Sequence, residues 1–338
     1  TGSAYANLCE GCRLCLQGAK MVLFVTGACG RDCFYCPLSE ERKGKDTVYA
    51  NERKVVSDED IIDEAKRMSA LGTGITGGEP LLVLERTLHY IGLLKNTFGG
   101  EHHIHLYTGI APSGDILLTL KEAGLDEIRF HPPVMDWDGF MDTPFFDSMK
   151  QAKALGMDVG VEIPAIKNVP AIVRAVTEVG GFLNLNELEF SETNFKALEE
   201  RGYRLRDDVS NAAAGSEEMA HEIVLNILAN TRYCSSRFKD AVQLRERLKR
   251  IARNVARPFD EVSDDGTIIY GEIIGNIAKA HQVLEQMKVP RRMYALHDDR
   301  IDIAWWILDE ISSHIDCDKS IVERYPMENG LVVERIPL

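Results

Sequence analysis

Three cysteines near the start of the chain carry its most specific chemical signal. Cys29, Cys33 and Cys36 have the spacing C-x3-C-x2-C. Three thiolates at this spacing can hold three irons of a [4Fe-4S] cube and leave the fourth iron open for another ligand, whereas four cysteines close such a cluster. A zinc knuckle is the alternative, but knuckles pair C-x2-C with a second cysteine pair or with histidines. This loop contains no fourth ligand of that kind.

A glycine-rich run further along the chain offers a second binding element. Gly77, Gly78, Glu79 and Pro80 follow a short apolar segment and precede a helix-like stretch. Two glycines after a strand let the backbone approach a ligand closely, and a carboxylate at this point can receive an ammonium group. An ordinary strand-to-helix turn is the alternative for the run taken alone.

Together the two motifs resemble those of the radical SAM superfamily, in a branch related to pyruvate formate-lyase activating enzymes. The resemblance extends from about Met21 to Ser191 and includes an aromatic residue, Tyr35, directly before the third cysteine. It implies that S-adenosylmethionine (SAM) chelates the open iron and that the Gly-Gly-Glu-Pro run meets the SAM amino group. It also implies reductive cleavage of SAM to a 5′-deoxyadenosyl radical that abstracts hydrogen from a substrate, while the protein positions SAM and excludes competing reactions.

Four residues near the ends of predicted strands are further candidates for the SAM site. The resemblance implies a hydroxyl near the SAM ribose or carboxylate, for which Thr108 and Ser113 are candidates, although Ser113 could equally cap the next helix. His131 could contact SAM or substrate, or be a structural histidine. Glu162 loosely resembles an adenine-side motif of the family. The sequence assigns no catalytic residue.

A second group of cysteines precedes the first predicted strand. Cys9, Cys12 and Cys15 form C-x2-C-x2-C, which resembles the iron–sulfur spacing of ferredoxins and predicts a second [4Fe-4S] cluster. Zinc is the alternative. With Cys234 as fourth ligand the cluster would be closed and would suit electron transfer or structure, whereas without it an open iron could bind substrate. Cys317 is expected to be a plain thiol.

An alternation of strands and helices predicts how these residues are positioned. Apolar, β-branched segments predict six strands, at 21–26, 72–76, 103–108, 127–131, 158–163 and 187–191. Such alternation implies parallel strands with right-handed crossovers and therefore an α/β fold with a partial (βα)6 barrel, in which ligands bind at the C-terminal strand ends. The predicted organisation is a cysteine-rich metal-binding segment at 1–20, the barrel at 21–191 and an α+β extension covering it at 192–338.

Composition and net charge indicate the compartment and the kinds of partner that we expect for the chain. The 338 residues contain no long apolar run and no signal peptide, so we expect no membrane segment and a cytoplasmic location. Clustered cysteines favour metal binding in a reducing, oxygen-poor compartment over disulfides. The net charge of −14 disfavours broad nucleic-acid binding. The basic run 245–257 could face RNA or be a solvated helix face.

These features favour an anaerobic radical SAM oxidoreductase that acts on a small molecule or a cofactor precursor. A reductant such as ferredoxin or flavodoxin would be its electron donor. Three alternatives stay open at the level of sequence: a protein- or peptide-modifying, activase-like enzyme, a tRNA-modifying enzyme, and a non-enzymatic iron–sulfur electron carrier. The sequence does not identify the substrate.

Overall fold

The chain forms two compact units. The computed structural model describes residues 4–5, 7–225, 230–327 and 330–338. The first unit comprises Thr1–Lys66 and Ala70–Gln243, and the second comprises Arg67–Ser69 and Leu244–Leu338.

A ten-stranded sheet organises the first unit. Its strands are β1 (Ala4–Tyr5), β2 (Lys20–Phe24), β3 (Tyr49–Ala50), β4 (Arg53–Lys54), β5 (Gly72–Thr76), β6 (His103–Thr108), β7 (Glu127–Phe130), β8 (Asp158–Pro164), β9 (Phe182–Asn186) and β10 (Asn230–Cys234). The spatial order is β1-β10-β9-β8-β7-β6-β5-β2-β3-β4. Strands β2 and β5 to β10 run parallel to their neighbours, while short antiparallel strands flank them. In the described residues the path ends at β1 and β4 without closing, as expected for a partial barrel.

Helices connect the parallel strands and cover the sheet. Those before residue 244 are α1 (Glu10–Leu16), α2 (Asp58–Arg67), α3 (Leu84–Phe98), α4 (Gly114–Ala123), α5 (Pro144–Ala154), α6 (Pro170–Glu178), α7 (Phe195–Glu200), α8 (Ser216–Leu225) and α9 (Ser236–Phe238). Each longer helix buries one apolar stripe, as in α6, where Ala171, Ile172, Ala175 and Val176 are buried. This spacing of three and four residues is typical of a helix that packs on one face.

Five of the six predicted strands are confirmed, and the sixth was wrong in position. It was expected at 187–191 but lies at Phe182–Asn186, where two of the five residues are asparagines, which have a low strand propensity. A seventh parallel strand, β10, was missed because its Thr, Arg and Tyr side chains give no apolar run. The sequence predicts a turn-like segment after a helix at Cys234, but this residue ends strand β10. Because β10 pairs with β9, the first unit extends to Gln243, beyond the boundary expected after residue 191.

The second unit contains an antiparallel sheet packed with helices. Its strands are β11 (Glu261–Val262), β12 (Ile268–Ile274), β13 (Tyr294–Leu296), β14 (Arg300–Ile303), β15 (Asp318–Arg324) and β16 (Val332–Pro337), and its helices are α10 (Arg245–Val255), α11 (Ile277–Gln286) and α12 (Trp305–Ile311). The strand order is β13-β14-β12-β15-β16, with β11 paired to β12. The sequence pattern predicts a hairpin at 259–274 and a final strand from residue 330, and both are present. None of the described helices is long and apolar enough to cross a membrane.

The sequence pattern at 217–230 predicts one helix, but the helix found there is shorter. Helix α8 ends at Leu225, and Asn230 already belongs to β10. The part of that prediction at 226–229 lies outside the described residues.

Candidate functional site

One face of the parallel sheet lines a cavity of about 660 Å³. Successive side chains of a strand point to opposite faces, so along most of these strands every second residue reaches the cavity. The strand residues that line it are Lys20, Val22, Gly74, Thr76, Tyr107, Thr108, Arg129, Glu162, Pro164, Asn184, Asn186, Arg232 and Cys234. The cavity is also lined by Cys12 and Cys15 from α1 and by all three cysteines of the loop after β2. Both predicted cysteine groups therefore contribute to one cavity.

The loop after β2 presents Cys29, Cys33 and Cys36 to this cavity. A backbone hydrogen bond of 3.0 Å from Cys36 N to Cys33 O turns the loop between the last two cysteines. Burial raises the pKa of the Cys29 and Cys33 thiols. Tyr35, which belongs to the same loop, is buried, and its hydroxyl lies 3.1 Å from His131 Nε2.

The Gly-Gly-Glu-Pro run packs directly against the backbone of the cysteine loop. Gly78 N donates to Thr26 O at 2.7 Å, and Glu79 N donates to Ala28 O at 2.8 Å. A Cβ on Gly77 would lie 2.5 Å from Thr26 O, and one on Gly78 would lie 2.3 Å from Ala28 O. Glycine is therefore required at both positions because the two loops approach so closely.

Glu79 is held in place by three hydrogen bonds at the rim of the cavity. Its side chain is only 2% exposed and accepts from Leu81 N at 3.0 Å, from Thr108 Oγ1 at 2.9 Å and from Gly109 N at 2.7 Å. Burial raises the pKa of this carboxyl group, although the hydrogen bonds oppose that effect. Pro80 is buried and begins a short 3-10 turn after it.

The other predicted SAM-site residues have different surroundings. His131 Nδ1 lies 2.7 Å from Glu162 O, and burial lowers the pKa of this imidazole. Thr108 lines the cavity beside Glu79, whereas Ser113 is exposed at the start of α4 and does not line it.

Glu162 lies in the interior of the barrel. Its carboxylate accepts from Arg129 Nη1 at 2.7 Å, from Asn184 Nδ2 at 2.9 Å and from Asn186 Nδ2 at 3.0 Å. Burial disfavours the charged carboxylate, but Arg129 and the two amides outweigh that effect and lower the pKa of Glu162 to about 2. Glu162 thus carries a negative charge at neutral pH.

Helix α1 carries the second cysteine group into the same cavity. Cys12 and Cys15 are buried, and Gly11 N lies 3.3 Å from Glu127 Oε2 at the start of β7. A Cβ on Gly11 would lie 2.5 Å from Arg129 Nη2, so the glycine lets α1 pack onto that guanidinium.

Buried donors face the sulfur atoms of this second group. Arg129 Nη2 is 3.4 Å from Cys9 Sγ, and Asn184 Nδ2 is 3.4 Å from Cys12 Sγ. Arg232 Nη2 is 3.9 Å from Cys234 Sγ. A hydrogen bond from Cys9, and the charges of the two arginines, hold the pKa of the Cys12 thiol well below its usual range despite its burial.

The donor chemistry of both groups suits iron–sulfur clusters. A single zinc ion takes four ligands at about 2.0–2.3 Å from one point. A [4Fe-4S] cube instead accepts thiolates at separate corners, and hydrogen bonds to its sulfurs are among the features that tune it. The N–H groups around Cys9, Cys12 and Cys234 are donors of this kind.

Sequence reasoning missed the buried charges between the two cysteine groups. Lys20, Arg129 and Arg232 are 8%, 1% and 3% exposed, which is rare for such residues unless they are paired. Arg129 lies between isoleucine and phenylalanine in a strand that was predicted correctly. An arginine within such an apolar strand could therefore have predicted a buried charge. No comparable signal marked Arg232, because its strand was not recognised.

Comparison with known proteins agrees with this geometry. The Radical SAM superfamily matches residues 23–170, and a domain of unknown function, DUF8061, matches residues 266–338. A protein of Methanocaldococcus jannaschii named "Putative glycyl-radical enzyme activating enzyme" is 40% identical over 356 residues, covering 99% of this chain and 94% of that protein.

Among solved structures, methylornithine synthase (PylB) is similar with a TM-score of 0.43 and 16% identity over 61% of this chain and 62% of that chain. Streptococcus suis SuiB bound to SAM is similar with a TM-score of 0.43 and 12% identity over 64% of this chain and 50% of that chain. The family match and the full-length relative decide the assignment: the chain is an enzyme of the radical SAM superfamily, in a branch related to pyruvate formate-lyase activating enzymes.

Proposed function

We propose that this enzyme binds a [4Fe-4S] cluster through Cys29, Cys33 and Cys36, with SAM beside it, and acts on a small molecule or cofactor precursor in the same cavity. Radical SAM membership implies the cluster and SAM, which together supply reductive cleavage to a 5′-deoxyadenosyl radical that abstracts hydrogen. One observation carries the proposal: the cysteine loop, the Gly-Gly-Glu-Pro loop and several buried charges line a single cavity of about 660 Å³. Small-molecule sites commonly have volumes of about 300–1,000 Å³.

The residues at the rim would position SAM. Glu79 would receive the SAM ammonium group, because it is a buried carboxylate already oriented by Thr108 and by backbone N–H groups. Gly77 and Gly78 keep this carboxylate next to the cysteine loop. His131 would orient the Tyr35 hydroxyl, since its Nδ1 donates to Glu162 O and its Nε2 is then free to accept.

A second [4Fe-4S] cluster at Cys9, Cys12 and Cys15, with Cys234 as fourth ligand, completes the proposal. Its support is the Arg232 guanidinium, which is buried yet has no carboxylate partner among the described ion pairs, and whose Nε has no hydrogen-bond partner. A buried cation needs a compensating negative charge. Thiolates at Cys12 and Cys234 would supply it, because Arg232 donates to the Cys12 carbonyl oxygen at 3.4 Å and lies 3.9 Å from Cys234 Sγ. Zinc is the alternative metal.

An anaerobic cleavage assay tests the first part of the proposal. After reconstitution with iron and sulfide, the parent enzyme with dithionite and SAM is expected to form 5′-deoxyadenosine, and a reductant such as ferredoxin or flavodoxin should replace dithionite. The triple variant Cys29→Ala, Cys33→Ala, Cys36→Ala should form none. Cys317→Ala is the matched control, because its thiol lies in the second unit, 3.7 Å from Asn276 O. Unchanged cleavage in the triple variant would contradict the assignment.

A protein or peptide substrate is the second candidate function, favoured by the name of the 40% identical relative. Fractionated cell extract distinguishes the two candidates. A small-molecule substrate predicts that only the low-molecular-weight fraction accelerates 5′-deoxyadenosine formation. A polypeptide substrate predicts that the protein fraction does so and that protease treatment abolishes the effect.

An RNA substrate has weaker support. In the basic run 245–257, Arg250 is engaged with the backbone carbonyls of Met68 and Ser69, and Lys249 lies 3.3 Å from Glu246. These contacts occupy part of the positive charge that would otherwise face nucleic acid. Loss of the acceleration on ribonuclease treatment would be the sign of such a substrate.

A further inference from the structure

A buried lysine lines the cavity without a partner of opposite charge. Lys20 begins β2, its side chain reaches the cavity and the residue is 8% exposed. In the part of the chain that the structure describes, no carboxylate lies within 4.0 Å of its Nζ and no cysteine sulfur lies within hydrogen-bond distance of it. Lysine is almost never buried unless it is paired, so its ammonium group needs an anion that the free chain does not supply.

A histidine holds this ammonium group in position. Lys20 Nζ lies 3.4 Å from His105 Nε2. Burial and the positive charges of Arg129 and Lys20 hold the pKa of His105 well below its usual range, so this imidazole is neutral at neutral pH. The ring therefore orients the ammonium group but does not balance its charge.

Two glycines make room for the imidazole of His105. A Cβ on Gly11 would lie 2.6 Å from His105 Nδ1, and one on Gly74 would lie 2.6 Å from His105 Nε2. Real Cβ contacts essentially never fall below 3.0 Å, so a larger residue at either position would displace the ring. His105 is itself fully buried. This packing fixes the imidazole and, with it, the place of the Lys20 ammonium group.

The carboxylates of the interior are already engaged. Glu127 lies 2.5 Å and Glu162 lies 2.7 Å from Arg129. Burial opposes the charge of Glu162, but Arg129, two asparagine amides and, most weakly, Lys20 lower its pKa to about 2. Lys20 therefore acts on Glu162 only from beyond ion-pair distance. Arg232, another buried cation, lies beside the sulfur of a cysteine instead, so Lys20 remains available to a ligand.

We propose that Lys20 binds an anionic group of the substrate, either a carboxylate or a phosphate. The inference rests on the proposed small-molecule function and deepens it, because it names the chemical class of the substrate. An ammonium group is a compact point charge with three donors, so it can pair with either anion. Bidentate pairing, which fits the geometry of a particular anion, is a property of arginine.

The position of Lys20 determines how the substrate would lie. The residue begins β2, whereas the loop of the first cysteine group follows the end of β2. The anionic group would therefore be bound remote from the carbon that loses hydrogen. Binding energy from a remote group can orient the reacting part of a substrate. Loss of the Lys20 ammonium group should thus weaken substrate binding and leave SAM binding unchanged.

Thermal melts with small anions test the inference on the reconstituted enzyme without knowledge of the substrate. A ligand that binds only the folded state raises Tm as its concentration increases. Sodium acetate or sodium phosphate, compared with chloride at equal ionic strength, should raise the Tm of the parent more than that of Lys20→Met. A larger difference with acetate indicates a carboxylate, and a larger difference with phosphate indicates a phosphate group. Lys150→Gln, which alters an exposed lysine of α5 paired with Asp147, is the control that should match the parent.

Fractionation of cell extract tests the substrate itself. The small molecule that accelerates 5′-deoxyadenosine formation should be retained by an anion exchanger at neutral pH and released by salt. In Lys20→Met, the amount of this fraction needed for half-maximal acceleration should rise about 10-fold or more, while SAM affinity and iron content stay unchanged. Recovery of the accelerating activity in the unretained fraction would contradict an anionic substrate.

The possible failures are distinguishable. If the parent forms no 5′-deoxyadenosine, or if only the protein fraction accelerates its formation, the proposed function fails, whereas the melts still decide whether Lys20 binds an anion. If acetate and phosphate change the Tm of the parent and of Lys20→Met equally, the inference is refuted. Loss of iron in Lys20→Met would also refute it, because Lys20 would then serve a metal centre. If Lys20→Met does not fold, the melts are made with Lys20→Gln.

Discussion

Replacement of Gly11 by alanine examines the packing that brings the second cysteine group into the barrel. Gly11 lies in α1 between Cys9 and Cys12. A Cβ at this position would lie 2.5 Å from Arg129 Nη2 and 2.6 Å from His105 Nδ1, and real Cβ contacts essentially never fall below 3.0 Å. Either the helix or these side chains must move.

Two opposing contributions decide the size of the effect. Alanine is favoured over glycine inside a helix by about 1 kcal/mol, and by less near a helix start such as Gly11. Overpacking costs about 1–3 kcal/mol. Arg129 cannot swing away freely, because it also bonds Glu127, Glu162 and Tyr107, and loss of a hydrogen bond to a charged group adds about 1.5–3 kcal/mol. We therefore expect Gly11→Ala to lower the free energy of unfolding by about 2–5 kcal/mol.

Gly92 provides a matched control within the same unit. It lies inside α3, and a Cβ there would meet nothing within 4 Å. Gly92→Ala should therefore stabilise the chain by about 0.5–1 kcal/mol. For a domain of this size, 1 kcal/mol corresponds to a shift of about 2–4 °C in Tm.

The measurement is a pair of thermal melts of the metal-free chain under anaerobic conditions, followed by iron analysis after reconstitution. Gly11→Ala should melt below the parent and lose iron from the second centre only, while Gly92→Ala should melt above it with full iron content. A Gly11→Ala variant that is as stable as the parent and keeps all its iron would refute the packing of α1 on Arg129.

Three further predictions concern individual side chains. Glu79→Gln should weaken SAM binding about 10-fold or more, because it removes the charged partner of an ammonium group; iron content should not change, and unaltered SAM affinity would contradict the role of Glu79. Glu162→Gln should destabilise the chain by about 3–5 kcal/mol at neutral pH, because it leaves Arg129 without one of its buried carboxylate partners. The folded pKa of Glu162, about 2, lies below the unfolded value of about 4.3, so unfolding measured against pH should show the full difference above pH 4.3 and its loss as the pH falls toward 2. Cys234→Ala should alter the spectrum of the second centre while Cys317→Ala does not, and an unaltered spectrum in Cys234→Ala would show that Cys234 is not a ligand.

The sequence predicts the rim of the site better than its interior. Cys29, Cys33, Cys36 and the Gly-Gly-Glu-Pro run are local motifs, and the close approach of Gly78 to Ala28 explains why both occur together. The spacing of Cys9, Cys12 and Cys15 is also a local motif. The sequence does not show that these groups share one cavity, because the cavity depends on strand pairing across the whole sheet.

Polar strands were the main source of error. β9 and β10 carry Asn184, Asn186 and Arg232 on their cavity face. Asparagine has a low strand propensity, and β10 has no apolar run. Their side chains are polar because they surround buried charge. The residues that made these strands hard to predict are therefore the same ones that distinguish this interior from an ordinary apolar core.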